Sequence, residues 1–328
     1  MPSVFQFLRS QLWVEVPTPT KKFTGQTIIV TGSNTGIGLE IAHHLVRLDA
    51  SKVILAVRSI PKGEAAAAAI EESMGRKGVT EVWELDLSSY DSVLRFGRRL
   101  GSLDRLDILA NNAGVMMYNF VRADEDDILI TVNVVSTLLL SLLALPKLRE
   151  TSVKFDKETV LTFTGSLGHA QAMFPERKSP QIFKDLAVEE NANMYDSRYN
   201  VSKLMQLLLA RELADKISSG DKPGNVVVSV ANPGLAHSEV ARNVGYIHGK
   251  VIRVVFWLVA RTAEQASRTV VLAAEGGQET NGQYLDDGKV GSASALATSE
   301  EGLKIQKQLW EELLAKLEDI SPGIRQVV

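Results

Sequence analysis

From residue 25 onward, short β-branched or apolar runs alternate with longer amphipathic ones. Thr27-Ile-Ile-Val30 leads into a helical pattern over 36–49, and Lys52-Val-Ile-Leu-Ala-Val57 into one over 61–74. The run 81–85 precedes 89–100, 106–110 precedes 123–148, and 159–163 precedes 196–217. The runs 225–230 and 282–285 close the series, the second after a helical pattern over 262–275. Strands alternating with helices predict βαβ units, and right-handed crossovers arrange these seven strands as one doubly wound parallel sheet with helices on both faces, an α/β fold. Composition does not break from residue 25 onward. We read one core domain over 25–290, an N-terminal extension over 1–24 and a C-terminal helical extension over 291–328.

In such a sheet ligands bind beyond the carboxyl ends of the strands, and the chemically suggestive residues fall there. Thr31-Gly32-Ser33-Asn34-Thr35-Gly36-Ile37-Gly38 lies between the first strand and the first helix. Its three glycines let bare backbone approach a pyrophosphate, and the helix N-terminus offers unpaired N–H groups. That position favours a dinucleotide over a mere tight turn and makes the domain Rossmann-type. Arg58 ends the second strand where a carboxylate would suit the free ribose of NAD; a guanidinium there suits a 2′-phosphate, and Lys62 could add a second cation. A surface arginine is the bland alternative. Asp86 and Leu87 end the third strand, the carboxylate able to accept from an adenine amino group. Asn111, Asn112, Ala113 and Gly114 end the fourth with residues small enough for close approach, Ser166 follows the fifth, and Asn232-Pro233-Gly234 ends the sixth.

Tyr199 and Lys203 stand four apart in a helical pattern, which stacks them on one face. A cation held near a phenol favours the phenolate and lowers its pKa from about 10, making tyrosine usable as a general acid. Tyr246 and Lys250 repeat the spacing, but Gly245 and Gly249 weaken any helix there. Taken alone, Tyr199 reads as a half-buried helix tyrosine with a solvated lysine one turn on. The strand-end motifs overturn that reading.

Hydrophobic content of 45%, charge of 23% and a net charge of −3 describe a globular chain with no electrostatic attraction to nucleic acid. The absence of cysteine excludes disulfides and thiolate chemistry and is compatible with a reducing, cytoplasmic setting. His43 and His44 read as surface or packing residues, with no metal. The longest apolar runs, 138–145 and 251–260, fall short of a membrane span. Val4, Phe5, Leu8 and Leu12 share a helical face that could graze a membrane surface, although docking on the body suits a segment whose one basic residue is Arg9.

With these motifs in this order, residues 25–290 resemble the short-chain dehydrogenase/reductase family. Within it the chain looks like the NADPH-preferring, retinol-dehydrogenase-like branch, and more narrowly like fungal oxidoreductases of secondary metabolism, which share the Tyr-Asn-Val-Ser-Lys wording of 199–203. The resemblance implies NADP(H) as cofactor and Tyr199 as proton donor or acceptor at the substrate oxygen. It makes Ser166 the hydroxyl that positions that oxygen, and Lys203 the holder of the nicotinamide ribose that also lowers the Tyr199 pKa. Asn133 matches the family's helix asparagine that anchors a proton-relaying water, and Ser238 stands where a threonine often meets the carboxamide. The stretch 167–195, with Phe174 and Phe183, reads as an elaborated lid, and 235–261, with Trp257, as a cover from the other side. Their apolar character implies a small lipophilic carbonyl or alcohol as substrate, although helix packing explains it about as well. A redox-neutral epimerase or dehydratase, or a nonenzymatic NADPH sensor, are the alternatives on this scaffold. The long helices 123–148 and 196–217 could form a homodimer face or be covered.

Overall fold

The computed structural model describes residues 4–117, 119–189, 198–237 and 259–328. Its sheet is built from β1 (Thr27–Thr31), β2 (Lys52–Val57), β3 (Thr80–Glu84), β4 (Ile108–Asn111), β5 (Thr159–Thr164), β6 (Val226–Asn232), β7 (Gln283–Asp286) and β8 (Lys289–Val290). They lie in the order β8-β7-β6-β5-β4-β1-β2-β3. β1, β4, β5 and β6 are buried along their whole length, as a parallel sheet covered on both faces requires.

Eight strands replace the seven expected. The seven that the hydrophobic pattern indicated are parallel, and β8 folds back antiparallel on β7. Asp287 at φ 52° and Gly288 at φ 77° supply the two positive-φ positions of a tight hairpin turn, which an Asp-Gly pair favours.

One face carries α2 (Gly36–Arg47), α3 (Ile60–Met74) and α7 (Ala263–Glu275), with Ile41, Ile70 and Val270 in its core. The other carries α4 (Tyr90–Leu100), α5 (Ile128–Phe155), α6 (Arg198–Ser219) and α8 (Glu300–Ile320), with Phe96, Leu138, Leu204 and Leu309 in its core. Helix α5 starts at 128 rather than 123, because Arg122–Ala123 and Asp126–Asp127 pair as a small hairpin through Asp124 at φ 48°. It is also a longer apolar helix than the runs suggested: an 18-residue window has mean hydropathy 2.4, yet 89% of that window is buried inside the protein, as in a core helix.

Helix α8 lies along α6 and buries Ile305, Leu309, Trp310, Leu313 and Leu317, and Arg149 of α5 donates to Val327 O at 2.9 Å. Of the two helices weighed as a homodimer face, α6 is thus packed against α8, while α5 meets the chain's last turn and keeps Val153 and Phe155 exposed. Helix α1 (Val4–Trp13) also docks, but not by the face its apolar residues marked. Gln11 Oε1 accepts from Leu235 N at 3.0 Å and Ser10 Oγ donates to Asp287 at 2.8 Å, while Phe5 and Leu12 of the marked face remain 72% and 45% exposed.

Candidate active site

The turn between β1 and α2 is as tight as its glycines suggest. Gly32 has φ 65°, and a Cβ there would lie 3.0 Å from Ala113 Cα; at Gly38 it would lie 2.3 Å from Gly32 O and 2.5 Å from Asn112 Nδ2. Asn112 Nδ2 donates to Thr31 O at 3.0 Å, and Thr31 Oγ1 accepts from the N–H groups of Asn112 and Ala113, both at 2.9 Å. The end of β4 is thereby stitched to the glycine turn. Thr35 occupies the N-cap of α2 without a side-chain capping bond, so no capping side chain takes up the N–H groups of the first turn. Gly38→Ala should destabilise the protein by about 1–3 kcal/mol, the usual cost of overpacking, because backbone rather than a movable side chain stands in the way. Thermal unfolding and cofactor titration should show a lower midpoint together with weaker binding; an unchanged pair of values would refute the close-approach argument.

Two residues named for the cofactor turn their side chains away from it. Ser33 is fully buried and its hydroxyl donates to Val30 O at 2.9 Å. Leu87 belongs to the core, leaving backbone alone at the strand end. Ile37 packs against the core of the α2 face, while Asn34 is half-buried. Asp86 Oδ1 accepts from Ser88 N at 2.9 Å and Ser88 Oγ at 2.7 Å, which fixes the carboxylate while leaving its second oxygen to a ligand. Arg58 and Lys62 are exposed beyond β2 and engage no partner among the described residues.

Beyond β4 and β5 the second cluster assembles. Ser166 Oγ accepts from Gly168 N at 3.0 Å, which leaves the hydroxyl proton to donate, and it sits beside the Tyr199 phenol. Lys203 Nζ lies 5.9 Å from the Tyr199 ring centre and donates to Thr164 O at 2.8 Å and Gln206 Oε1 at 3.2 Å. Asn133 sits in a π-type turn of α5, Thr131–Ser136. It bonds the backbone of Val115 twice, Oδ1 accepting from N and Nδ2 donating to O, each at 2.9 Å, and Nδ2 also reaches Ser202 Oγ at 3.0 Å. A Cβ on Gly114 would lie 3.1 Å from Asn133 Oδ1 and 3.8 Å from Lys203 Nζ, so that glycine keeps the floor low.

The electrostatics differ from the simple picture of a lysine acidifying its phenol. Burial raises the Tyr199 pKa, and the opposing influence is the Ser166 hydroxyl rather than Lys203. Burial alone lowers Lys203 to about 8. The spacing of four does bring the cation under the ring, but its nearest acceptors are Thr164 O and Gln206, and withdrawal from water dominates both groups.

Residues given no catalytic or cofactor role from the sequence, among them Asn232, His169, Ser202 and Gln206, complete the frame. Asn232 Oδ1 accepts from Leu167 N and Gly234 N, both at 3.2 Å, tying the loop after β5 to the one after β6. His169 Nε2 accepts from Ser294 N at 3.0 Å, so Nδ1 carries the proton and donates to Ser166 O at 2.7 Å. Ser202 and Gln206 each stand three residues beyond a catalytic candidate, one helical turn on, although what each of them joins on α5 leaves no mark in the local spacing. Pro233 O faces Arg261 Nη1 at 3.5 Å. Phe174 and Phe183 are core residues, 1% and 5% exposed, that pin down the loop after Ser166. Ser238, Tyr246, Lys250 and Trp257 lie outside the described residues.

The sequence model of the short chain dehydrogenase family matches residues 26–155. The chain is 41% identical to the short-chain dehydrogenase anuD of Penicillium roqueforti, over 98% of this chain and 85% of that one. It is likewise 41% identical to the short chain dehydrogenase/reductase dmxR8 of a Cryptosporiopsis species, over 97% of this chain and 98% of the relative. Among solved structures, a short-chain dehydrogenase of Shigella flexneri complexed with NADP superposes with a TM-score of 0.59 at 22% identity, covering 82% of this chain and 99% of that one. The 3-ketoacyl-(acyl-carrier-protein) reductase of Brucella melitensis, complexed with NADH, gives 0.58 at 18% identity, over 81% and 97%.

Proposed function

This chain belongs to the short-chain dehydrogenase family of oxidoreductases, and from that premise we propose that it is an NADPH-dependent reductase interconverting the carbonyl and alcohol of a small lipophilic metabolite. The observation that carries the reading is the meeting of Ser166, Tyr199 and Lys203 at the carboxyl ends of the strands, beside a glycine turn that no larger residue could form. The cradle at Gly32, Gly38 and Gly114 fits a dinucleotide, with Asp86 toward the adenine and Lys203 toward the nicotinamide ribose. When bound, the nicotinamide supplies or accepts hydride. The chain's own residues then manage charge and protons at the substrate oxygen. Ser166 donates a hydrogen bond to it, and Tyr199, kept protonated by burial, delivers the proton that completes reduction. Lys203 sustains the phenolate left behind, the state in which its positive charge matters most. The apolar character of 251–258 supports a lipophilic substrate, and the absence of cysteine is compatible with a cytoplasmic setting.

Relatives of this fold carry either nicotinamide dinucleotide, so the choice rests on residues near the second strand. Arg58, exposed and without a competing carboxylate partner among the described residues, favours the 2′-phosphate through a charge-assisted pair. Hydrogen bonds to charged groups contribute about 1.5–3 kcal/mol each, so NADPH should bind at least about tenfold tighter than NADH, and Arg58→Ala should erase most of that difference. Fluorescence titration with both cofactors checks it; equal affinities in the intact protein would remove the NADPH assignment while leaving the reductase reading in place. Incubation of the protein with NADPH and a panel of lipophilic aldehydes and ketones, with the products identified, tests that wider reading.

A further inference from the structure

Gln206 is almost fully buried, and its amide joins two groups of the catalytic cluster that no other side chain among the described residues connects directly. Its Oε1 accepts from Lys203 Nζ at 3.2 Å and its Nε2 donates to the main-chain oxygen of Asn133 at 3.0 Å. Only one orientation of the amide works, because the reverse would set NH2 against an ammonium and one carbonyl against another. Among the described residues Lys203 has one other acceptor, Thr164 O at 2.8 Å.

We infer that Gln206 is a positioning residue that holds the Lys203 ammonium under Tyr199 and ties it to the main chain of α5 at Asn133. This rests on the reading of Lys203 as a member of the catalytic set. The groups facing the lysine are Tyr199, Ser202 and Gln206 from α6, Asn133 from α5, Thr164 from β5 and Gly114 beyond β4. Tyr199 is the one titratable group among them, and no carboxylate faces the ammonium among the described residues. Burial already holds Lys203 at about 8, so each hydrogen bond that favours its charged form weighs heavily.

Two variants of near-equal volume push the lysine in opposite directions. Gln206→Met removes the acceptor and should lower the Lys203 midpoint by about one unit or more, the size of one hydrogen bond to a charged group. Gln206→Glu keeps the acceptor, adds a negative charge and should raise it. The measurement is an NMR pH titration of protein carrying isotope-labelled lysine, with the Lys203 signal assigned by its loss in Lys203→Met. Opposite shifts in the two variants, with the alkaline limb of the pH–rate profile moving alongside, support the assignment. A midpoint unchanged in either folded variant overturns it and leaves Gln206 as packing. The titration requires no substrate, so an absence of reductase activity would count against the proposed function and not against this role.

Discussion

Replacing Tyr199 with phenylalanine should lower carbonyl reduction by about 10²–10⁴-fold, the range lost when general acid catalysis is removed. The substitution keeps the ring above Lys203, where ring centre and Nζ are 5.9 Å apart, and removes one oxygen beside Ser166. Packing is therefore preserved and NADPH affinity should stay within about twofold, a difference small beside the tenfold that 1.4 kcal/mol represents. Single-turnover rates with NADPH and a lipophilic aldehyde measure the first effect, and fluorescence titration the second. Near-full activity in Tyr199→Phe would show that the proton comes from elsewhere, and loss of activity in Tyr246→Phe instead would show that the other Tyr-Lys pair does the work.

Why Tyr199 could be found from sequence and Gln206 could not is a matter of what each depends on. The glycine turn and the Tyr-Lys pair are local: a strand, a turn and a helix, or two residues four apart, specify them without knowledge of the rest of the chain. The frame around them is not local. Lys203 is held by the main-chain oxygen of Thr164, 39 positions away, and a carbonyl leaves no mark in a sequence. Gln206 is legible only as a polar residue within an apolar helix, because what it joins comes from α5. Side-chain direction at strand ends was also hidden: Ser33 and Leu87 lie where a ligand would pass, yet one bonds back to Val30 O and the other fills the core. The Asp287-Gly288 turn was a plain hairpin signal, obscured because β8 is only two residues long. For α1 the apolar pattern did not mark the docking contacts, since Ser10 and Gln11 dock by hydrogen bonds while Phe5 and Leu12 are exposed.

The second large effect is expected from pH and Lys203. Burial sets its pKa at about 8, so it carries a proton in the free protein below that value and loses it above. The rate constant for productive NADPH capture, kcat/KM, reports ionisations of the free enzyme, and the reaction proposed here requires the ammonium both at the ribose and beside the phenolate. It should therefore be level near neutrality and fall about tenfold per unit once pH exceeds roughly 8, as expected for a single proton lost. Tyr199 does not confuse this window, because burial moves its own ionisation upward from its ordinary value of about 10. Lys203→Met should abolish the limb and leave a flat profile about 10²–10³-fold lower, the scale of losing one preorganised donor. Stopped-flow measurement of kcat/KM for NADPH between neutral and alkaline pH, in both proteins, decides the matter. A limb that survives unchanged in Lys203→Met would belong to another group, and Lys203 would then be no more than a buried cation held by Thr164 and Gln206.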